Sequence, residues 1–206
     1  MNLYIVRHAE SAANARDVLA SRLDFPLSQK GQGDARMVAE HFHARGWTYD
    51  AIVSSPLLRA RQTARPFAEL AGLPVEVHPD LIEQHLGAYS GMNYRQAEAD
   101  PQYEKDRTRR WQWVPRGGGE SYSMIADRVR RFFDWVDSRP SGQTLMVFTH
   151  AVAMRLIRGM LEHTLPAYPS HLAVNMEIWK VDYRGVGQPH VIESFLLLDE
   201  HGNHGE

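Results

Sequence analysis

Short runs of β-branched and aromatic residues alternate along this chain with longer segments in which apolar residues recur every three to four positions. Three of the short runs have the composition of buried strands, namely 2–7 (NLYIVR), 50–54 (DAIVS) and 144–149 (TLMVFT). Strands that alternate with helices form a parallel sheet with helices packed on both of its faces. The alternation therefore predicts an α/β fold, a three-layer αβα sandwich around a mostly parallel central sheet.

Several helical segments carry start and stop signals. Gly46 follows the segment 34–45 where a C-terminal capping glycine belongs. Ser55 and Pro56 form an N-cap followed by a proline in the first turn. Pro66 falls inside the next apolar stripe, so we expect a kink or a break there. Helices are predicted over 10–16, 34–45, 57–71, 125–136 and 152–160.

The last part of the chain has a hairpin pattern. Strand-like runs at 173–181 and 190–198 flank a turn region at 183–187, which predicts antiparallel strands at the edge of the sheet. An exposed edge of this kind could pair with a second copy, so a homodimer is one expectation. The polar segment 199–206 is expected to fray.

Length and composition limit the function classes. The 206-residue length and the 43% hydrophobic fraction suit one compact domain over 1–206. A formal net charge of -2 gives no electrostatic case for binding nucleic acid or an anionic membrane. The chain has no cysteine, which excludes disulfides, thiolate zinc sites and cysteine nucleophiles. No apolar run approaches the roughly 18 residues of a membrane span, and no signal peptide is recognisable, so the expected location is cytoplasmic.

Polar residues follow the predicted strands at equivalent positions. Arg7 and His8 follow the first strand, Ser55 and Arg59 follow the second, and His150 follows the third. In open α/β sheets the ligand binds beyond the carboxyl ends of the parallel strands, so these side chains are expected to meet. A single histidine at a strand end is usually structural, but three coincident junctions indicate a site. Arginines and helix N-termini around one crevice would bind a doubly charged oxyanion such as a phosphate.

The residue types available there restrict the chemistry. The sequence contains no thiol, no Walker loop and no clear metal-ligand motif, so neither a metal nor another cofactor is implied. Phosphoryl transfer needs positive groups around the phosphorus, a nucleophile in line and a proton for the leaving oxygen. A neutral imidazole is then the natural nucleophile, and a carboxyl group should supply the proton. The glycine-rich run at 116–121 (RGGGES) could wrap a phosphate or could be an ordinary turn.

The run LYIVRHAESAANA at 3–15 resembles the Arg-His-Gly motif of the histidine phosphatase superfamily, also called the phosphoglycerate mutase-like family. Further blocks agree with that family in order and spacing, so the resemblance extends from residue 3 to about residue 160. It implies a phosphoglycerate mutase-like fold. The blocks are DFPLSQKG at 24–31, SSPLLRARQTA at 54–64, LIEQHLGAYSG at 81–91 and VFTHAVAMRLI at 147–157.

The resemblance implies a phosphoric monoester hydrolase of the histidine acid phosphatase type, metal-independent and acting on a small phosphorylated metabolite. His8 would be the nucleophile that forms a phosphohistidine, with a main-chain carbonyl fixing its tautomer. Glu83 would protonate the leaving group and then activate water. The phosphoryl group would be held by Arg7, Arg59 and His150. We also expect His150 to be protonated only when phosphate is bound, which would make activity dependent on pH.

Other residues are assigned to substrate binding by the same resemblance. Asn14 matches the phosphate-contacting asparagine of the family. Ser21 stands where many relatives have a glycine-containing pair, and its hydroxyl could still donate to phosphate. Ala151 occupies a position that is glycine in many relatives. The segment 175–177 (NME) departs from the usual small residues and would bring a carboxylate towards the site.

Three other functions remain compatible with the sequence. A cofactor-dependent phosphoglycerate mutase-type transfer is the main alternative, although only about 60 residues separate Glu83 from the next strand and the recognisable mutase block is absent. A non-catalytic, phosphate-recognising interaction domain is a second alternative, against which stands the retention of every expected catalytic group. A phosphoprotein substrate is a third.

The connection at about 85–120 is expected to act as a lid that selects the rest of the substrate. Within it, the arginine- and tryptophan-rich segment 103–116 could be a solvated helical face, part of this lid or a dimer contact. Arg107, Arg109 and Arg110 would suit a second anionic group on the substrate.

Overall fold

A computed structural model describes residues 1–198, and the segment 199–206, expected to fray, lies outside them. Its six-stranded sheet has the strand order β3-β2-β4-β1-β5-β6. The strands are β1 (Asn2–Arg7), β2 (Ala51–Ser54), β3 (Val75–Val77), β4 (Thr144–Thr149), β5 (Ile178–Asp182) and β6 (Ile192–Phe195). The α-helices are α1 (Gln29–Ala44), α2 (Leu58–Ala71), α3 (Tyr94–Ala99), α4 (Tyr122–Asp137) and α5 (Ala151–Leu161).

The strand pairing confirms the predicted α/β architecture. β1 pairs in parallel with β4, β4 with β2, and β2 with β3. β5 runs antiparallel to β1, and β6 runs antiparallel to β5. The sheet is therefore mostly parallel, with the predicted late hairpin at one edge. Its strands are shorter than predicted, because β5 begins at Ile178 rather than at 173 and β6 spans only Ile192–Phe195 of the predicted 190–198. β6 is the outermost strand on that side of the sheet. Pairing of its edge with a second copy of the chain stays a prediction.

Alternation along β1 explains why helices cover both faces of the sheet. Leu3 and Ile5 are buried in a core shared with α4 and α5. Tyr4 and Val6 point the other way, into a second core shared with α1 and α2. Successive side chains of a strand lie on opposite faces, so an all-apolar strand needs an apolar layer on each side. The result is the three-layer sandwich that the sequence predicts.

One predicted helix boundary and one predicted helix need correction. α1 begins at Gln29, five residues earlier than expected, because the Ser28 hydroxyl accepts a hydrogen bond from the Gly31 N–H at 3.0 Å. Its predicted C-terminal signal is confirmed, since Gly46 adopts a left-handed φ of 68°. The 10–16 helix was wrong: apart from a 3₁₀ turn at Asn14–Arg16, this segment is irregular.

The start of α2 also differs from the prediction. The helix begins at Leu58, and the Ser55–Pro56 cap was wrong because Leu57 is the N-cap and no side chain caps it. The Ser55 hydroxyl instead bonds to the ring of His150. The expected break at Pro66 was wrong as well, since α2 continues through it to Ala71.

The strand β3 was not predicted from the sequence. It has three residues, and Glu76 and Val77 are exposed, so it carries neither the length nor the burial pattern of a strand signal. Its parallel pairing with β2 makes it the edge opposite β6.

The connection at 85–120 contains α3 and short 3₁₀ turns, and it packs through a small apolar cluster of its own. Leu86, Tyr89 and Tyr103 are buried in this cluster together with Leu19, which comes from the loop after β1. The connection is thereby attached to the same edge of the sheet at which β1 ends. Its action as a lid, and the organisation of 1–206 as one domain, stay proposals.

None of the helices within residues 1–198 is both long enough and apolar enough to cross a membrane.

Two glycines in α1 provide a matched test of this packing. A Cβ at Gly31 would overlap the backbone carbonyl oxygen of Glu10, whereas a Cβ at Gly33 would meet no atom within 4 Å. Gly31→Ala should therefore lower the free energy of unfolding by at least about 2 kcal/mol, since backbone must shift. Gly33→Ala should raise it by about 0.5–1 kcal/mol, because alanine is the better helix former. Urea denaturation of both variants decides the matter, and equal effects would contradict the packing described.

Candidate active site

A cleft with a volume of about 100 Å³ lies at the carboxyl ends of the parallel strands. Of the catalytic and substrate-binding residues that the family resemblance implies, all except His150 line the cleft, namely Arg7, His8, Asn14, Ser21, Arg59, Glu83 and Ala151.

The His8 ring is held in one orientation and one tautomer. Its Nδ1 lies 2.7 Å from the carbonyl oxygen of Ala9. Because a carbonyl can only accept, Nδ1 carries the proton and Nε2 keeps a free lone pair. Burial lowers the pKa of His8 well below its usual value, and the nearby charges of Arg59 and Arg7 lower it further. Neutral His8 is therefore the stable form, which a nucleophile requires.

His150 packs directly behind His8. The two ring centroids are 5.1 Å apart, and His150 is fully buried. Its Nε2 lies 2.7 Å from the Ser55 hydroxyl oxygen, and its Nδ1 has no hydrogen-bond partner. Burial lowers the pKa of His150 well below its usual value, with further lowering by Arg59 and by His8. In the ligand-free protein His150 is therefore neutral, and it is absent from the cleft lining.

Two guanidinium groups next to His8 are fixed by main-chain carbonyls. Arg7 Nη1 donates to the Ala173 carbonyl at 2.5 Å. Arg59 donates to the carbonyls of Ser21 at 2.7 Å and Leu23 at 3.0 Å. In both arginines the buried Nε has no partner. Burial lowers the pKa of each, but a guanidinium stays charged, so two cations face the cleft without a carboxylate bonded to either.

Glu83 is held by backbone N–H groups. Its Oε1 accepts from the Gln84 N–H at 2.8 Å, and its Oε2 accepts from the Val152 N–H at 3.3 Å. Val152 lies in the first turn of α5, directly after Ala151, whose own N–H has no acceptor within the helix. Glu83, the start of α5 and His150 are thereby brought to one side of the cleft.

The predicted substrate-binding residues have different roles in the structure. The Asn14 Oδ1 accepts from both the backbone N–H and the hydroxyl of Ser11, at 3.0 and 2.8 Å, which leaves its amide NH₂ for a ligand. The Ser21 hydroxyl is already engaged, because it donates to the Gln84 carbonyl and accepts from the Leu86 N–H. Ser21 has a φ of 48°, a left-handed value that glycine adopts most easily. The prediction that this hydroxyl donates to phosphate was therefore wrong. The hydroxyl joins two loops instead.

The glycine-rich run at 116–121 does not line the cleft, so a phosphate-wrapping role for it was wrong. It carries Glu120 into a buried ion cluster, in which the carboxylate accepts from Arg128 at 2.9 and 3.1 Å and from Arg22 at 3.0 Å. Arg22 also donates to the Glu83 carbonyl at 3.0 Å. This cluster fixes the main chain that bears Glu83.

The carboxylate of the segment 175–177 does not reach the cleft, which corrects the expectation for Glu177. Its oxygens accept from the Trp179 ring N–H at 2.6 Å, the Ser194 hydroxyl at 2.8 Å and the Val174 N–H at 2.8 Å. The neighbouring Asn175 does contact the site, because its amide donates to the backbone carbonyl of His8 at 2.8 Å.

Further cleft residues come from positions that the sequence analysis left ambiguous or missed. Arg107 and Arg110 of the segment 103–116 line the cleft, whereas Arg109 does not. Arg155 was missed because it lies inside the apolar stripe of α5, where a charged residue looks like an exception rather than a ligand. Its position one helical turn after Ala151 was the available signal. Three tyrosines, Tyr94, Tyr103 and Tyr122, complete this part of the wall.

Within residues 1–198, no group of three or more His, Asp or Glu side chains is arranged so that it could hold a metal ion.

Comparisons with known proteins agree with this geometry. The family model for the histidine phosphatase superfamily (branch 1) matches residues 3–191. Phosphoserine phosphatase 1 of Hydrogenobacter thermophilus is 36% identical over 159 residues, which cover 75% of this chain and 73% of that protein. The probable phosphoglycerate mutase GpmB of Photorhabdus laumondii is 29% identical over 192 residues, which cover 89% and 86%.

A solved structure has the same fold. Mycobacterial glucosyl-3-phosphoglycerate phosphatase in complex with VO3 gives a TM-score of 0.80 at 26% identity, covering 93% of this chain and 96% of that chain. The similar proteins thus include phosphatases as well as a probable mutase.

The buried histidines make stability dependent on pH. Their lowered pKa values mean that the unfolded chain binds protons below about pH 6.5 while the folded, ligand-free protein does not. The contribution of these two histidines to stability is therefore fully present well above pH 6.5 and is lost as the pH falls below it. His150→Asn should reduce the loss in unfolding free energy between pH 7.5 and 5.5 by about 1 kcal/mol, as measured by urea denaturation. The exposed His43→Asn is the control, and an unchanged loss in His150→Asn would refute the assignment.

Proposed function

Because the chain belongs to the histidine phosphatase superfamily, we propose that it is a metal-independent phosphatase that hydrolyses small phosphate monoesters through a phosphohistidine on His8. The observation that carries this proposal is the hydrogen bond from His8 Nδ1 to the Ala9 carbonyl, which leaves Nε2 free. Arg7 and Arg59 lie beside it with unsatisfied Nε groups, where the equatorial oxygens of a phosphoryl group would be bound.

The first chemical step transfers the phosphoryl group to the enzyme. The lone pair of His8 Nε2 attacks phosphorus while the ester P–O bond breaks, and the electron pair of that bond goes to the leaving oxygen. Protonated Glu83 donates its proton to the same oxygen, so the product leaves as an alcohol. Glu83 becomes a carboxylate, which the N–H groups of Gln84 and Val152 stabilise.

The second step regenerates the enzyme. Carboxylate Glu83 takes a proton from a water molecule, whose oxygen attacks phosphorus as the P–N bond to His8 breaks. Inorganic phosphate leaves, His8 recovers its Nε2 lone pair and Glu83 is again protonated. In the proposed cycle His150 gains a proton when the dianion binds, since a negative charge opposes the effects that lower its pKa in the empty site.

Phosphoglycerate mutase-type transfer is the second candidate, because one relative carries that name at 29% identity over 192 residues. Such a reaction returns the phosphoryl group from His8 to a second hydroxyl and must exclude water from the cleft. Hydrolysis is favoured by the short connection after Glu83. A non-catalytic role is disfavoured because His8, Glu83 and both arginines meet in one cleft.

The nucleophile assignment predicts the effect of one substitution. Phosphate release from p-nitrophenyl phosphate should be unaffected by EDTA and should fall by at least roughly a thousandfold in His8→Ala, because His8 is the one histidine among the described residues that line the cleft. The exposed His43→Ala should keep wild-type activity. Activity that survives in His8→Ala would overturn the assignment.

If the wild type fails to turn over this substrate, rapid quenching should distinguish a mutase from a binding domain. Acid-labile phosphate on His8 that persists until a hydroxyl acceptor is added would indicate a mutase. No labelled His8 at all would indicate a binding domain.

The proton-donor assignment predicts a dependence on the leaving group. Glu83→Gln should lower kcat/KM for an alkyl phosphate by roughly 100-fold to 10,000-fold, because an alkoxide needs a proton to leave. The fall in kcat/KM for p-nitrophenyl phosphate should be much smaller, since nitrophenolate leaves without a proton. The control is Glu10→Gln, whose carboxylate accepts from the Ser28 hydroxyl outside the cleft. Equal losses for both substrates would argue against Glu83 as the acid.

A further inference from the structure

The cleft carries more positive charge than a phosphoryl group requires. Five arginines line it, and Glu83 is the one acidic residue among the described lining residues. A phosphate monoester brings about two negative charges, which Arg7 and Arg59 can match. The remaining three arginines are Arg107, Arg110 and Arg155.

Within residues 1–198, no carboxylate pairs with the buried Arg110. The residue is 6% exposed, and its Nε and Nη2 both donate to the backbone carbonyl of Glu104, at 2.9 and 2.7 Å. The guanidinium lies 4.9 Å from the ring centre of Tyr103 and 5.1 Å from that of Trp113. These contacts hold the cation in place but leave its charge uncompensated.

Arg155 is the deepest of the three. It is 1% exposed, and it donates to the Tyr122 hydroxyl at 3.2 Å and to the Ser170 carbonyl at 2.9 Å, while its Nε has no partner. A buried cation that has neutral partners and one orphaned donor is costly unless an anion arrives. Because Arg155 lies about 6 Å further along α5 than Ala151, that anion would sit beyond the phosphoryl position.

Arg107 adds an exposed cation on the same side. Its backbone carbonyl accepts from the Tyr168 hydroxyl, and the Tyr168 ring packs 4.9 Å from the ring of Tyr122, the partner of Arg155. Arg109, by contrast, pairs with Asp106 at 3.5 Å on the exposed surface and takes no part in the cleft. The expectation that Arg109 would serve a second anion was therefore wrong.

We propose that Arg107, Arg110 and Arg155 form a second anion subsite, so that the substrate is a phosphate monoester with another anionic group at its far end. This proposal rests on the proposed function for its phosphoryl end. Tyr94, Tyr103 and Tyr122 line the space between as apolar walls with polar tips. The shared chemistry is a carboxylate or a second phosphate, either of which a guanidinium binds with paired hydrogen bonds.

Binding to the His8→Ala protein tests the subsite without requiring turnover. The ligands are propyl phosphate, its terminal carboxylate analogue and its terminal phosphate analogue, and calorimetry gives each Kd. At least one of the two analogues with a second anionic group should bind at least roughly tenfold more tightly than propyl phosphate, as expected for a charge-assisted hydrogen bond. The tighter of the two identifies the second group.

Matched variants in the His8→Ala background assign the effect to residues. Arg110→Gln should remove most of the preference while the Kd of propyl phosphate stays within about twofold, whereas Arg109→Gln should change neither. Arg107 is exposed, so Arg107→Gln should fold, and it should lose part of the preference for a second anionic group. This variant decides the test if the buried Arg110→Gln fails to fold.

Equal Kd values for all three ligands, or equal effects of Arg109→Gln and Arg107→Gln, would overturn the subsite. Wild-type phosphate release from the same ligands reports separately on the proposed function. Tight, selective binding without any turnover would reject the phosphatase and keep the subsite, and turnover without selectivity would do the reverse.

Discussion

The parallel pairing of β1 with β4 is the constraint on which the site depends. Its register sets Arg7 opposite Thr149, and the His8 N–H donates to the Thr149 carbonyl at 3.0 Å. Both strands therefore end at the same level, so His8 and His150 emerge side by side with ring centroids 5.1 Å apart. A shift of one residue in this register would turn one histidine towards a helical layer and separate the pair.

The charge balance of the cleft follows from that geometry. Burial keeps both imidazoles neutral in the empty site, and the cations packed around them lower their pKa values further. In the proposed mechanism, this leaves His8 free to act as the nucleophile and His150 able to accept a proton when an anion enters. The buried guanidinium groups of Arg59 and Arg155 donate hydrogen bonds to main-chain carbonyls and not to carboxylates. Carbonyls fix a guanidinium without cancelling its charge, so the attraction for an anionic substrate is preserved.

Prediction from the sequence placed residues correctly where their position is tied to an element boundary. Arg7 and His8 close an all-apolar strand, and the carboxyl ends of such strands converge in any parallel sheet. It failed where a polar group finds a distant partner. Ser55 has the local features of a helix cap, yet its hydroxyl bonds to His150, 95 positions away. Ser21 likewise resembles a ligand donor, but loops that are remote in sequence occupy its hydroxyl.

The sequence by itself determined the layered α/β fold and the convergence of the polar residues that follow three of its strands, because periodicity and spacing are local properties. The resemblance to the family added Glu83, which follows none of those strands. Only the tertiary structure decided which nitrogen of His8 is free and which arginines face the cleft. Arg109 and Arg110 are adjacent in the chain, yet one pairs with Asp106 in solvent and the other lines the cleft between aromatic rings. Side-chain direction in an irregular connection depends on long-range packing, and no periodic pattern records it.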